Sequence, residues 1–197
     1  MGEHVRLMGI CGVLVPIVAF SCIGISIALS PWFTWRENAL SDLGALSSPV
    51  WPIFDFGLIV SGALAAAFSY GLIGRLEERL GKAGGVIVLL GSASLALIGV
   101  FPEDFGFVHF AVSASFFFLV PVGLLVVGIS RLRRTGGALR ALWAILLALS
   151  LASLATWAPW AALKPDLGIA VPETIAAVLM AVPVLLLSLR MARSAPI

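Results

Sequence analysis

Residues 7–29 read LMGICGVLVPIVAFSCIGISIAL, an unbroken run without one charged side chain. At 1.5 Å of rise per residue such a helix is roughly 35 Å long, enough to cross a hydrocarbon core about 30 Å thick. A helix on the surface of a water-soluble fold needs a charged or polar face, and this stretch has no charge on any face. Arg6 precedes the run, as a basic residue precedes a secretory signal. The run is nevertheless longer than the roughly 7–15 apolar residues of such a signal, and more runs follow it, so it reads as a first membrane helix.

Working outward, five further runs have the same character: residues 52–73, 85–100, 107–129, 142–157 and 169–189. With 7–29 they predict an all-α, polytopic integral membrane protein, a single six-helix transmembrane domain filling residues 1–197. Composition agrees. Hydrophobic residues make up 61% of the chain and charged residues 11%, against roughly 25% charged in a soluble domain, and mean hydropathy is +1.13. The lipid bilayer is thus the first partner. Nucleic-acid binding has no support, because the basic residues form no stripe for a phosphate backbone. Cys11 and Cys22 lie in one helix roughly 16 Å apart, too far to pair, and read as small apolar packing residues.

The loops alternate in charge. Arg6, Arg75, Arg79, Lys82, Arg131, Arg133, Arg134, Arg140, Arg190 and Arg193 fall on one side, leaving Arg36 and Lys164 for the other. The positive-inside rule puts the first set, and both termini, in the cytoplasm of a multi-pass cell-membrane protein. The acids divide the opposite way. Glu3, Glu77 and Glu78 lie inside, whereas Glu37, Asp42, Asp55, Glu103, Asp104, Asp166 and Glu173 lie at or near the outer boundary. Trp32, Trp35, Trp51, Trp157 and Trp160 are expected at the outer interface and Trp143 near the inner one. Ser61, Ala65 and Ser69, with Ser92, Ala96 and Gly99, give the second and third helices small faces for close packing. Pro16, Pro121 and Pro183 each remove a helical hydrogen bond from the first, fourth and sixth spans.

All four aspartates begin the same tripeptide, Asp then Leu or Phe then Gly, at Asp42, Asp55, Asp104 and Asp166. Three of these fall in loops, where Asp accepts backbone hydrogen bonds and Gly supplies positive φ. Asp55 instead lies one turn inside the second helix, where an ionisable group either serves a site or reaches back to the interface. The turn Phe101-Pro102-Glu103-Asp104-Phe105-Gly106-Phe107-Val108-His109 brings two carboxylates and a histidine together. Histidine with carboxylate neighbours allows metal binding or acid–base work, or simply a hydrogen-bonded packing role. Glu173 after Pro172 fits both a site and an ordinary helix start.

The run Glu37-Asn38-Ala39-Leu40-Ser41-Asp42-Leu43-Gly44, the entry Phe54-Asp55-Phe56-Gly57-Leu58-Ile59, and Gly99-Val100-Phe101-Pro102-Glu103 followed by His109 resemble the prokaryotic six-helix family catalogued as domain of unknown function 998. The resemblance covers most of the chain. It implies a six-helix bundle in which Ser41, Asp42, Glu103 and His109 matter, and it implies no activity. A more distant likeness is to the membrane hydrolases of the alkaline ceramidase and progestin-receptor-like superfamily, which hold zinc with three histidines. This sequence has two histidines, His4 and His109, expected on opposite sides. Three-histidine zinc and bis-histidine haem are therefore not expected. A metal held by Asp42, Glu103 and His109 would be a hard divalent cation.

Three function classes fit. One is an outward-facing acidic pocket in which Arg36, Glu37, Ser41, Asp42, Asp55, Glu103, His109 and Glu173 converge on a lipid, small ligand or ion. Its enzymatic form is a lipid hydrolase with His109 and Asp42 as catalytic residues. The second is a small-solute or ion transporter or channel. The third is an accessory or scaffold subunit, as a homo-oligomer or with a membrane-complex partner. No nucleophile elbow, His-Glu-x-x-His or P-loop chooses among them.

Overall fold

In the computed structural model, which describes residues 2–163 and 168–197, all regular structure is helical. Helix α1 is Gly2–Ala28, α2 Trp51–Arg75, α3 Arg79–Val100, α4 Phe107–Leu132, α5 Gly137–Ala155, α6 the short Trp157–Leu163, and α7 Ala170–Ala192. Six of these are long and apolar enough to span a membrane. The chain is a multi-pass membrane protein. Helices α3 and α5 begin five or six residues before the runs that hydropathy marks. Arg79, Lys82 and Arg140 make those first turns polar, but polarity does not interrupt a helical hydrogen-bond ladder. Lipid requires only that backbone groups be satisfied internally.

The six long helices form a ring. Each of α1 to α4 packs on the next, α5 packs on α7, and α7 closes on α1. Between apolar helices in an apolar solvent, close backbone approach takes the place of the hydrophobic effect. Glycine makes that approach at α3–α4. A Cβ on Gly84 would lie 2.8 Å from the Gly123 carbonyl oxygen, and one on Gly123 2.7 Å from the Val88 nitrogen. At α2–α3, Gly62 lies against the Ala96 backbone, and the Ser69 and Ser92 hydroxyls meet at 3.1 Å. Ser61, Ser69 and Ser92 are buried, as their small-residue spacing predicts. Outside the ring, large apolar side chains such as Ile17, Leu90, Phe118 and Ile145 are exposed, as lipid permits.

Two apolar clusters fill the ring at different depths. One lies toward the end carrying Arg75 and Arg131 and includes Phe68, Leu72, Val127, Trp143 and Leu187. Trp143 is expected from sequence at an interface, but it is fully buried in this cluster. Its position on α5 turns it between neighbouring helices instead of toward the membrane surface. The other cluster, at the acidic end, joins Phe54, Leu58, Leu95 and Ile98 to Phe33, Leu40 and Leu43 of the connection between α1 and α2. That connection is part of the packed bundle.

At the basic end Glu78 pairs with Arg131 at 3.6 Å and Arg134 at 3.2 Å. The chain beyond α7 folds back there. Arg75 donates to the Ala195 carbonyl at 2.8 Å, Arg190 to that of Pro196 at 2.7 Å, and Arg131 to that of Ile197.

If backbone approach holds the ring, Gly123→Leu costs about 1–3 kcal/mol by overpacking, a fall of several degrees in Tm. Gly24→Ala, where an added Cβ meets nothing, changes stability by less than about 1 kcal/mol. Thermal unfolding of the two variants in one detergent checks both expectations.

Candidate functional site at the acidic end

The α1–α2 connection is held down by carboxylates accepting from its backbone. Asp42 begins within a 3-10 turn, Ser41–Gly44. Its Oδ2 accepts from Asn38 Nδ2 at 2.7 Å and from the Ala39 N–H at 3.0 Å. The Leu40 N–H donates to Glu173 Oε2 of α7 at 2.7 Å, and the Leu46 N–H to Asp104 Oδ2 of the α3–α4 turn at 2.7 Å. Two backbone bonds complete the seam, Ala170 N–H to the Asn38 carbonyl at 3.0 Å and Gly168 N–H to that of Arg36. Hydrogen bonds to a charged acceptor contribute about 1.5–3 kcal/mol each. Several of the clustered acids thus serve as anchors for one segment of chain.

The glycines of the repeated tripeptide divide by role. Gly106 has φ +52°, as a turn glycine should. Gly44 and Gly57 do not have positive φ, contrary to the turn expectation for Gly44. Gly44 is required by contact, because a Cβ there would overlap Asp55 Oδ1. Asp55 is buried at 3% exposure, and its Oδ2 has no hydrogen-bond partner among the described residues. It therefore sits beneath the connection and does not reach the interface.

Ser41, Asp42, Glu103 and Glu173 come together. Asp42 and Glu103 line a cleft with Trp32, Asn38 and Ser48. Burial pushes the Glu103 carboxyl up to about 7, with the Asp42 carboxylate beside it as the next cause; the Ser41 hydroxyl acts in the opposite direction. Arg36 and Glu37 stay on the exposed rim, where the Glu37 carboxylate accepts from the Thr34 hydroxyl and the Glu37 N–H donates to that hydroxyl. Asp166 and Lys164 lie outside the described residues.

His109 is engaged elsewhere. Its Nδ1 lies 2.8 Å from the Phe101 carbonyl oxygen and its Nε2 3.3 Å from Ser113 Oγ, and it is 8% exposed. Among the described residues no three His, Cys, Asp or Glu side chains are grouped to hold a metal. Asp42, Glu103 and His109 accordingly form no such centre here.

Below the acids, inside the ring, runs a cavity of about 120 Å³. Apolar side chains of α1, α2, α3, α4 and α7 make nearly all of its wall. The polar exceptions are Ser41, Glu173, Ser92 and Ser113, and Ser92 is consumed by the Val88 carbonyl and Ser69. Sequence reasoning missed this cavity and Ser113. Lining residues scattered over five helices leave no motif, and a serine within an apolar run reads as packing.

The Glu103 shift has a sign that can be checked. Its folded value, about 7, lies above its ordinary 4.5, so the folded state holds the proton more tightly and stability falls as pH rises from about 4.5 to 7. Glu103→Gln should remove part of that fall. The measurement is Tm at pH 5 and pH 8 for both proteins, with the smaller difference expected in the variant.

No curated protein and no solved structure matches the chain. A family described as "Protein of unknown function (DUF998)" matches residues 13–190, a stretch that takes in α2 to α6 whole and most of α1 and α7. With most of the chain inside that match, the protein belongs to the DUF998 family.

Proposed function

We propose that this protein binds a single-chain amphiphile, its apolar part in the ring cavity and its polar head at Ser41, Glu103 and Glu173. The carrying observation is the cavity, whose polar wall groups other than Ser92, namely Ser41, Glu173 and Ser113, lie toward the acidic end. Size limits the occupant. An apolar cavity of about 150 Å³ holds a benzene-sized guest, so about 120 Å³ suits one chain segment and excludes the body of a two-chain lipid. An amphiphile arriving from the bilayer already has its tail in hydrocarbon, so burial in the cavity gains packing and little hydrophobic free energy. Selectivity then falls to the head group and its hydrogen bonds.

The same proposal places the protein in the cell membrane with both termini in the cytoplasm and the acidic end outside. Ten of the twelve Lys and Arg fall on the basic side, which supports that orientation. With Cys11 and Cys22 changed to serine, Ser47→Cys should react with a membrane-impermeant maleimide on intact cells. Gly136→Cys should react only after permeabilisation, and the reverse pattern would overturn the orientation.

The binding itself is tested with a medium-chain alcohol carrying a diazirine on its chain, photolysed with the protein in liposomes. Cross-links are expected on α4 and α7 peptides. Ala177→Phe, which fills the cavity wall, should lower them about tenfold, equivalent to about 1.4 kcal/mol. Cross-linking that is absent, or unchanged by Ala177→Phe, sinks the binding proposal.

A further inference from the structure

We infer that Ser113, which lines the cavity, and His109, hydrogen-bonded to it, are a nucleophile and its general base acting on the acyl ester of a single-chain amphiphile. This rests on the proposed occupant of the cavity and adds a reaction to it. A carbonyl oxygen can only accept, so the His109 Nδ1 that meets Phe101 at 2.8 Å carries the proton. In the neutral ring Nε2 is then a bare acceptor, and the Ser113 hydroxyl 3.3 Å away donates to it. Serine, imidazole and an orienting acceptor in series are the arrangement that activates a hydroxyl for attack. The distance is slightly beyond the usual range for such a pair, as is common before substrate binds.

The sequence makes the arrangement from two local facts. Helix α3 ends at Val100, which leaves the carbonyls of its last turn, and that of Phe101 after it, without an intrahelical donor. His109 and Ser113 are four apart on α4 and so share a face. The alternative for a helical serine is to bond the carbonyl four residues back. Ser69, Ser92, Ser94, Ser115 and Ser150 all do so. Ser113 bonds the imidazole instead, and it lines the cavity.

With the acyl chain lying in the cavity, the ester carbonyl reaches the level of Ser113. From Ser113 to Val120, the deepest α4 residue of the wall, is roughly 10 Å of helix, and a volume of about 120 Å³ admits a short acyl chain there. Ser113 Oγ bonds to the carbonyl carbon as its proton passes to His109 Nε2. The bond from that carbon to the alcohol oxygen breaks, Nε2 returns the proton to that oxygen, and the alcohol leaves on the side of Ser41 and Glu173. A water molecule then adds to the acyl-serine, giving a proton to Nε2. The bond between the acyl carbon and Oγ breaks, Oγ recovers the proton, and a carboxylic acid is released.

The experiment treats the purified full chain in detergent with a short-chain alkyl fluorophosphonate and, separately, with a short-chain p-nitrophenyl ester. An adduct on Ser113, located by peptide mass spectrometry, is expected, with ester turnover. Both should vanish in Ser113→Ala and fall at least about 100-fold in His109→Ala. Ser113→Ala removes a single oxygen, so an unchanged Tm and undiminished diazirine cross-linking separate lost chemistry from lost fold, even where His109→Ala fails to fold. Cross-linking of the wild type without a Ser113 adduct, or with ester turnover equal to that of Ser113→Ala, overturns the dyad and leaves the binding proposal standing. Absence of cross-linking overturns both.

Discussion

A lipid solvent gives helices no hydrophobic reward for touching one another, and that constraint shapes the ring. Its seams are made where side chains are smallest, Gly84 against Gly123 and Gly62 against Ala96. Close backbone seams on the ring's perimeter do not require a filled axis. In a soluble bundle an axial void costs stability because large side chains are driven inward. Here large residues such as Phe118 face lipid at no penalty, and the axis retains space lined by helices that touch mainly their neighbours.

The axial space has different ends. Toward the basic end the bundle is packed solid by Leu72, Val127, Trp143 and Leu187, all fully buried. Toward the acidic end the void is covered by the α1–α2 connection, a segment without helical spans of its own. A connection over a membrane bundle must satisfy its backbone groups where it is buried, and the Glu173 carboxylate accepts from it at buried Leu40, while the Asp104 carboxylate ties down the exposed stretch at Leu46. The acidity of this end therefore has a structural cause before any ligand is considered. The carboxylates left over are those of Glu103, set beside Asp42 and half-buried, and of Asp55, buried beneath the connection.

Much of the fold was legible in the sequence because membrane helices announce themselves by length and apolarity alone. The run at 7–29 falls within or beside α1, Ser61 is buried, and Ser69 and Ser92 meet at the seam their spacing indicates. The burial of Trp143 was not legible, because hydropathy gives depth along the membrane normal but not rotation about the helix axis. The site was only partly legible. Charge sidedness singles out Asp42, Glu103 and Glu173, and the family resemblance Ser41; these four converge, yet sidedness also includes Arg36 and Glu37, which stay on the rim. His109 was visible as a residue, but its partners were not, because the Phe101 carbonyl and Ser113 carry no signature of chemistry in a string of apolar letters.

Where an oriented imidazole can sit in such a bundle is limited by the supply of free carbonyls. A buried imidazole needs an acceptor to fix its tautomer, and inside a helix every carbonyl but those of the last turn is already committed. A histidine one turn into α4, beside the end of α3, meets a carbonyl that is free to accept. Placed deeper, it would find the ladder closed; placed in the loop, it would be solvated and lose its orientation. The first turns next to the α3–α4 connection are thus the depth at which an oriented histidine and a hydroxyl facing the cavity coexist, one helical turn below the acids that anchor the covering segment.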